Sequence, residues 1–160
     1  MERMEASSKE QCALEVRKMA RLFALMYYHF ATTIVEEMGE ERGKEVVSKV
    51  VARFGAHRGE EIKKRVGTDN LANLIGATDL PETGWESRHI RMSGGESGLR
   101  VTYCPLADTW KAMGADALGQ LYCAVDEARF KAYNLEGSFV HAKNVLQGDD
   151  CCEVYIRFQE

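Results

Sequence analysis

Residues 100–114, RVTYCPLADTWKAMG, join two different hydrophobic patterns. Before Cys104, apolar and polar residues alternate, which is typical of a strand with one buried face. After it, Pro105 stands where the first turn of a helix tolerates proline, and Gly114 stands where a helix commonly ends. The stretch therefore predicts a strand followed directly by a helix that reaches Met113, with Cys104 as its N-cap residue.

A second alternating segment precedes this strand. Residues 85–92, WESRHIRM, alternate around Arg88, Ile90 and Met92. The turn-forming sequence SGGESG separates them from residues 99–104, LRVTYC. Two alternating runs with glycine between them predict a β-hairpin.

The chain after Gly114 is predicted to continue with a helix and a second hairpin. Apolar residues at helical spacing predict a helix from about Asp116 to Tyr133. The segments SFVHAKNVL at 138–146 and CCEVYIRF at 151–158, joined by the turn QGDD, predict a second hairpin. In its last strand, alternate residues from Cys152 to Phe158 are expected to be buried.

The N-terminal half is predicted to be helical. A long helix is expected from Ser8 to Met38, with Ser7 or Ser8 as N-cap, and a second from about Glu41 to Val66. The apolar residues of the first helix recur in steps of three and four, at Cys12, Val16, Met19, Phe23, Met26, Phe30, Ile34 and Met38. This stripe predicts packing on the core, and the unusual length of the helix also fits the seam of a homodimer.

Three smaller features complete the helical half. Gly55 and Gly59 interrupt the second helix, which predicts a kink or a close approach to another element. A short helix is expected near Asn70 to Ile75, before a loop from Pro81 to Gly84.

The order of helices followed by ββααββ favours one α+β domain over residues 1–160, with an antiparallel sheet of about four strands and helices on one face. Within it, residues 1–80 would be the helical region and residues 81–160 the sheet-and-helix region.

Composition restricts the classes of partner. The net charge of −4, from 21 basic and 25 acidic residues mixed along the chain, provides no basic surface for nucleic acid. No stretch approaches the roughly 20 apolar residues of a membrane span, and the beginning lacks the apolar core of a signal peptide. A cytoplasmic protein without a membrane partner is expected. The five cysteines are then expected to be thiols.

Cys104 is the first candidate for chemistry. At a helix N-terminus its sulfur would lie among unpaired backbone N–H groups, which stabilise a thiolate. The alternative is a buried thiol that only packs, because free cysteine is among the most buried residue types.

Two further segments carry candidate side chains. Tyr122, Cys123 and Asp126 lie three to four residues apart and share one side of the predicted helix. In the last hairpin, Cys152 is predicted on the inward face, with His141 on the partner strand. Each residue also has an ordinary structural explanation, but all could converge on one pocket.

Three stretches of the C-terminal half, in this order and spacing, resemble the L-2-amino-thiazoline-4-carboxylic acid hydrolase family. They are RVTYCPLADTWKAMG at 100–114, LYCAVDEARFKAYN at 121–134 and VLQGDDCCEVYIRF at 145–158. The shared pattern is Cys-Pro at a helix start, Tyr-Cys with an aspartate three residues on, and Gly-Asp before a cysteine. In the N-terminal half only ARFGAHRGEEI, at 52–62, is similar.

The resemblance implies a hydrolase that opens the ring of L-2-amino-thiazoline-4-carboxylate to N-carbamoyl-cysteine without a cofactor. It implies Cys104 as the nucleophile, Asp126 as the amidine anchor or general base, and Cys123 or Tyr122 as a supporting donor. Cys152 and His141 would line the substrate site. Arg58, Arg88 and Arg100 are the candidates for binding the substrate carboxylate, and Arg100 is assigned to the substrate site.

Two other functions remain open at this point. The C-terminal outline is also similar to the small-molecule-binding vinyl-reductase-like domains, which implies a non-catalytic ligand-binding role. Alternatively, Cys104, Cys123 and Cys152 with Asp126 or His141 could bind zinc, because thiolate combined with imidazole or carboxylate suits that metal.

Overall fold

Two long helices and a four-stranded sheet with two shorter helices make up the computed structural model of the chain, which describes residues 2–68, 79–93, 96–134 and 137–158. The predicted α+β class with an antiparallel sheet is confirmed. The short helix predicted near residues 70–75 lies outside the described residues. No helix in the described ranges has both the length and the apolar character needed to cross a membrane.

The N-terminal half is a helical hairpin. Helix α1 spans Glu2–Met38 and helix α2 spans Glu40–Val66. Gly39 joins them with a φ of 78°, a conformation that glycine adopts at little cost. Helix α1 begins before the predicted Ser8, so neither Ser7 nor Ser8 is its N-cap. Residues 2–7 contain good helix formers and no breaker, which lets the helix extend toward the N-terminus.

The sheet is built from the two predicted hairpins. Strand β1 spans Glu86–Arg91, β2 Ser97–Tyr103, β3 Gly137–Lys143 and β4 Cys152–Phe158. Their order in the sheet is β1-β2-β4-β3, and each neighbouring pair is antiparallel. The second strands of the two hairpins therefore pair with each other, which sets Val101 opposite Cys152.

The helices between the hairpins lie where the sequence predicted them. Helix α3 spans Pro105–Ala112 and helix α4 spans Asp116–Tyr133. The turn of the second hairpin contains a short 3-10 helix at Val145–Gln147. Phe139 of β3 and Ile156 of β4 pack against buried residues of α2 and α4, which shows the face of the sheet that the helices cover.

Helices α2 and α4 approach each other closely at Gly55 and Gly59. A Cβ atom at residue 55 would lie 2.5 Å from the Val125 carbonyl oxygen, and one at residue 59 would lie 2.9 Å from Ala132 Cβ. Both distances are too short for normal contact, so the pair of helices needs glycine at these positions. Of the two predicted alternatives, the close approach is the one that the structure contains.

The main core lies between α1, α2, α3 and α4. Trp110 is 1% exposed, and its indole N–H donates a hydrogen bond of 3.0 Å to the Ala24 carbonyl oxygen. Tyr27 and Tyr122 stack against this indole with ring centroids 5.3 and 5.2 Å away. Because aromatic pairs of this kind add to burial, they fix α1 across the later helices.

The predicted inward stripe of α1 is only partly correct. Phe23 and Ile34 contact the core, but Met19, Met26 and Phe30 are 66, 53 and 66% exposed. The residues of α1 that are buried most completely are alanines, at positions 20, 24 and 31. Small side chains let α1 lie close to its neighbours, so the stripe of larger residues is turned partly toward solvent.

Candidate functional site

Cys104 occupies the junction between β2 and α3. Its backbone is extended, with φ −125° and ψ 113°, and its carbonyl oxygen accepts the first helical hydrogen bond, from Asp108 N at 2.9 Å. Pro105 follows in the first turn, where its missing N–H costs no hydrogen bond. Cys104 is therefore the N-cap residue of α3, as the sequence predicted.

Opposing effects act on the Cys104 thiol. Burial raises its pKa above the ordinary value and Asp126 raises it further, whereas the backbone N–H groups of Ala107 and Leu106 and the Trp85 side chain lower it. The Cys104 side chain makes no capping hydrogen bond of normal geometry, so the helix N-terminus acts at longer range and burial is the larger effect. Cys104 is thus a neutral thiol at pH 7, rather than the thiolate expected from the helix dipole alone.

Cys123 and Cys152 share this neighbourhood. Burial raises the pKa of Cys123 to about 12, and Cys104, Asp126 and Cys152 are near enough to raise it further by their charge. Burial also raises the pKa of Cys152, whose sulfur accepts a hydrogen bond of 3.5 Å from Val145 N. The three thiols that the sequence singled out therefore come together from the start of α3, the middle of α4 and the start of β4.

A groove of about 250 Å³ opens beside Cys123. It lies between α4, β3 and the 3-10 helix, and its lining includes Glu127, His141 and Asn144. His141 keeps contact with solvent, but partial burial of its ring lowers its pKa, against the opposing charges of Asp126 and Glu127. At pH 7 the groove thus has a thiol, a neutral imidazole and a carboxylate on its walls.

Tyr122 and Asp126 lie on the side of α4 that faces α2. Burial raises the pKa of Tyr122 to about 12, with Arg58 acting in the opposite direction and Asp126 and Cys104 adding to the rise. Arg129 Nη2 lies 3.4 Å from Asp126 Oδ1. Asp126 thus lies between Arg129 and the thiols of Cys104 and Cys123.

Arg58 of α2 is a second arginine beside these residues. It donates two hydrogen bonds to the Asp79 carboxylate, of 2.6 and 2.7 Å, and its side chain is only 12% exposed. Burial alone would raise the pKa of Asp79, but the hydrogen bonds from Arg58 and the charges of Arg58 and Arg129 hold it below its ordinary value. Arg58 also lies near enough to Tyr122 and Asp126 to interact with their charges.

Arg100 lies apart from this group. It pairs with Glu153 across β2 and β4, with Nε 2.8 Å from Oε1. Its neighbour Val101 lies opposite Cys152, so Arg100 points to the other face of the sheet. The other candidate arginine, Arg88, is exposed on strand β1. Of the three arginines considered from the sequence, Arg58 is the one that lies near Tyr122 and Asp126.

Three groups near this site were missed from the sequence: Trp85, Asp79 and Asn144. Trp85 acts on Cys104, Asp79 binds Arg58, and the side chain of Asn144 lowers the pKa of Cys123. Each lies outside the helices and strands, so periodicity could not assign a direction to its side chain. The sequence feature that came nearest to indicating this part of the site is the pair Gly55 and Gly59. These glycines lie on either side of Arg58, in the turn of α2 that meets α4.

A metal site would need several ligands at suitable distances. Among the residues that the structure describes, no three or more His, Cys, Asp or Glu side chains are grouped so that they could hold a metal ion. All five cysteines are free thiols.

Comparison with protein families gives one match that covers most of the chain. The sequence profile of the L-2-amino-thiazoline-4-carboxylic acid hydrolase family matches residues 19–156, which include the helices that only partly resembled the family by motif. A comparison with curated proteins finds no match.

Among solved structures, the fold is similar to trafficking protein particle complex subunit 3 from Naegleria fowleri, covalently bound to palmitic acid. The TM-score is 0.53 at 16% identity, over 88% of this chain and 95% of the other. At that identity the similarity concerns the fold alone.

Proposed function

The chain belongs to the L-2-amino-thiazoline-4-carboxylic acid hydrolase family, and on that premise we propose that it hydrolyses a small cyclic compound in which one carbon carries both nitrogen and sulfur. The proposed substrate is L-2-amino-thiazoline-4-carboxylate and the product is N-carbamoyl-cysteine. The observation that carries the proposal is the family match over residues 19–156. The position of Cys104 and Cys123 beside Asp126, with Cys152 next to both thiols, supports it.

In the proposed reaction the Cys104 sulfur adds to the ring carbon that bears the amino group. Its proton passes to the Asp126 carboxylate, beside which the amidine is bound. The ring C–S bond then breaks, and the departing sulfur takes this proton from Asp126. One water molecule adds to the same carbon and gives a proton, through Asp126, to the Cys104 sulfur as the bond between that sulfur and the carbon breaks, so that ring and water together give the carbamoyl product.

Tyr122 and Cys123 fit the role of hydrogen-bond donors to the departing sulfur. Burial raises the pKa of both groups to about 12, so both keep their protons at neutral pH. Cys123 also lines the groove, which makes the groove the proposed path of the substrate to the thiols. His141 and Glu127 on its walls would contact the polar edge of the ring.

Arg58 is the proposed partner of the substrate carboxylate. Its two hydrogen bonds to Asp79 are the paired arrangement that arginine makes with any carboxylate. A substrate carboxylate could replace Asp79 at these N–H groups without a change in the chemistry of the contact. Arg100 is less suited, because its partner Glu153 lies on the other face of the sheet.

The direct test is to incubate the purified protein with the thiazoline and to measure carbamoyl-cysteine. Cys104→Ser is expected to lower kcat/KM by about 1000-fold or more, as removal of a nucleophile does elsewhere. Cys12→Ser, at an exposed cysteine of α1, is the matched control and should leave activity unchanged. Full activity in Cys104→Ser with loss in Cys123→Ser would transfer the role of nucleophile to Cys123.

A second candidate function is non-catalytic binding of a small molecule, with the fold similarity to a palmitic acid-bound protein as its support. Intact mass spectrometry separates the two functions. A mass above 18.0 kDa by one acyl group, removed by hydroxylamine, would support the binding role. Elemental analysis of protein purified without added metal tests the zinc alternative, since an active enzyme without zinc would exclude it as a requirement.

A further inference from the structure

Helix α1 carries an exposed apolar stripe on its outer side. We call Met19, Leu22, Met26 and Phe30 the outer stripe; their exposed fractions are 66, 60, 53 and 66%. They follow one another in steps of three and four, so they lie along one side of the helix. Single exposed apolar residues are normal, but a continuous row of large ones marks an interaction surface.

The length of α1 is consistent with such a surface. A helix of 37 residues is about 55 Å long. A globular domain of 160 residues is only roughly 40 Å across. Some of α1 therefore has no core of its own chain to cover. A shallow apolar depression lined by Met26, His29, Phe30 and Thr33 lies along the stripe, where side chains of a second helix could interlock.

The charges at the two ends of the outer stripe are opposite. Lys18 and Arg21 lie at its N-terminal end, and Glu36 and Glu37 follow its C-terminal end; all four are exposed. Lys18 contacts Glu15 of its own helix at 2.8 Å, an exposed pair of little energetic value. If two copies pair antiparallel about a two-fold axis midway between Met26 and Phe30, the basic end of each lies against the acidic end of the other.

We propose that the outer stripe is the interface of an antiparallel homodimer of this chain. The stripe supplies the apolar contact, and the charge arrangement selects both the orientation and a second copy as the partner. A parallel arrangement would set like charges together at both ends. The proposal concerns assembly and does not depend on the hydrolase activity.

The first experiment measures mass in solution by light scattering after gel filtration, over a range of protein concentration. The expected result is twice the 18.0 kDa of one chain, with dissociation on dilution. Phe30→Asp is expected to raise the dissociation constant at least tenfold, while its circular dichroism spectrum and melting temperature show that it is folded.

The second experiment exchanges the charges at each end. Lys18→Glu with Arg21→Glu gives a chain that is acidic at both ends of the stripe, and Glu36→Lys with Glu37→Lys gives one that is basic at both. Each variant alone is expected to be mainly monomeric, and an equal mixture is expected to form a heterodimer. Lys131→Glu with Lys143→Glu, on α4 and β3, is the matched control and should dimerise like the unchanged chain.

Three outcomes would overturn the proposal. The first is a monomer at about 100 μM, a concentration at which a specific interface of ordinary affinity would be saturated. The second is a dimer that neither Phe30→Asp nor the charge exchanges weaken, since this would place the interface elsewhere. The third is a monomer that sediments with phosphatidylcholine vesicles and loses this property in Phe30→Asp, which would assign the stripe to a membrane surface.

Discussion

The chemistry of Cys104 depends on the balance between two local effects. The start of α3 favours a thiolate, whereas burial under the surrounding side chains favours the neutral thiol, and burial is the larger effect. A thiol of this kind is protected from general oxidants and alkylating agents. In the proposed reaction it becomes reactive only when a bound substrate brings its electrophilic carbon next to the sulfur and Asp126 accepts the proton.

The protection of the buried thiols can be measured by alkylation. At pH 7.5, iodoacetamide is expected to modify exposed Cys12 at least about ten times faster than Cys104 or Cys123, because only the thiolate reacts and burial reduces both its population and its access. Peptide mass spectrometry after timed quenching gives the rate at each cysteine. All five should react alike in 6 M guanidinium. A Cys104 rate equal to that of Cys12 would contradict the prediction.

The same direction of the pKa shift predicts how activity depends on pH. The folded-state pKa of Cys104 lies above the ordinary thiol value of 9.0, so the thiolate population grows with pH throughout the range from 7 to 9. Because Asp126 takes the Cys104 proton during attack in the proposed reaction, kcat/KM is expected to stay level between pH 7 and pH 8. A rise of about tenfold for each pH unit would show instead that a preformed thiolate attacks directly. The slope is measured with the thiazoline assay in buffers of constant ionic strength.

At the scale of elements, the contact between α2 and α4 positions the site. Gly55 and Gly59 let the two helices approach closely, and Arg58, between them in sequence, is thereby set beside Tyr122 and Asp126. From the sequence, these glycines predicted a kink or a close approach to another element. They could not identify α4 as that element, because a glycine pair in one helix carries no information about the helix that packs on it.

Gly59→Ala tests this contact. The added methyl group would lie 2.9 Å from Ala132 Cβ and would also meet the Arg129 carbonyl oxygen, so the helices must separate. The expected loss of stability is about 1–3 kcal/mol, in spite of the better helix propensity of alanine. Urea unfolding followed by circular dichroism measures it. Ala52→Gly, at an exposed position of the same helix, is the control and should cost only about 1 kcal/mol.

Gly59→Ala is also expected to lower activity more than Ala52→Gly does, because separation of the helices moves Arg58 away from Asp126. Unchanged unfolding in Gly59→Ala would mean that the helices do not need glycine at this position.

For the whole molecule, the ion pair between Arg58 and Asp79 links stability to pH. The folded-state pKa of Asp79 is held below its unfolded value of 3.8, so the pair contributes its full stability above that pH and loses it as the pH falls through the folded-state pKa. Asp79→Asn is expected to cost about 1–3 kcal/mol at pH 7, because it leaves Arg58 buried without its charged partner. The cost should be smaller at pH 2.5. Unfolding curves of both proteins at the two pH values measure this difference.

Glu61→Gln is the control for Asp79→Asn, because the pair between Glu61 and Lys64 is exposed and should contribute little. An equal loss of stability in Asp79→Asn at both pH values would mean that the charge of Asp79 is not what stabilises the fold.

Much of the architecture could be predicted from local patterns, and the exceptions have physical causes. Pro105 and the alternating strands around it identified α3 and both hairpins correctly. The pattern failed on α1, where Met26 and Phe30 were assigned to the buried stripe although Ala24 and Ala31 occupy it. Hydrophobicity alone ranks methionine and phenylalanine above alanine, but close helix packing favours the smaller residue.

The site was predicted to a similar extent. Cys104, Cys123 and Cys152 come together as their positions in the motifs suggested. The alternation along β2 also indicated that Arg100 and Val101 face opposite sides of the sheet, but not which of the two sides carries Cys152. That distinction depends on the pairing of β2 with β4, which joins residues about fifty positions apart. Long-range pairing of this kind cannot be inferred from the spacing within either strand.

The strand order β1-β2-β4-β3 also has a consequence for folding kinetics. Strand β4 is the last of the four in the chain, but it lies in the interior of the sheet and pairs on both edges. During synthesis, the first hairpin and the helices can form early, whereas the sheet cannot close until β4 has left the ribosome. Cys152 begins that strand. The three thiols of Cys104, Cys123 and Cys152 are therefore brought together in the final step of folding rather than before it.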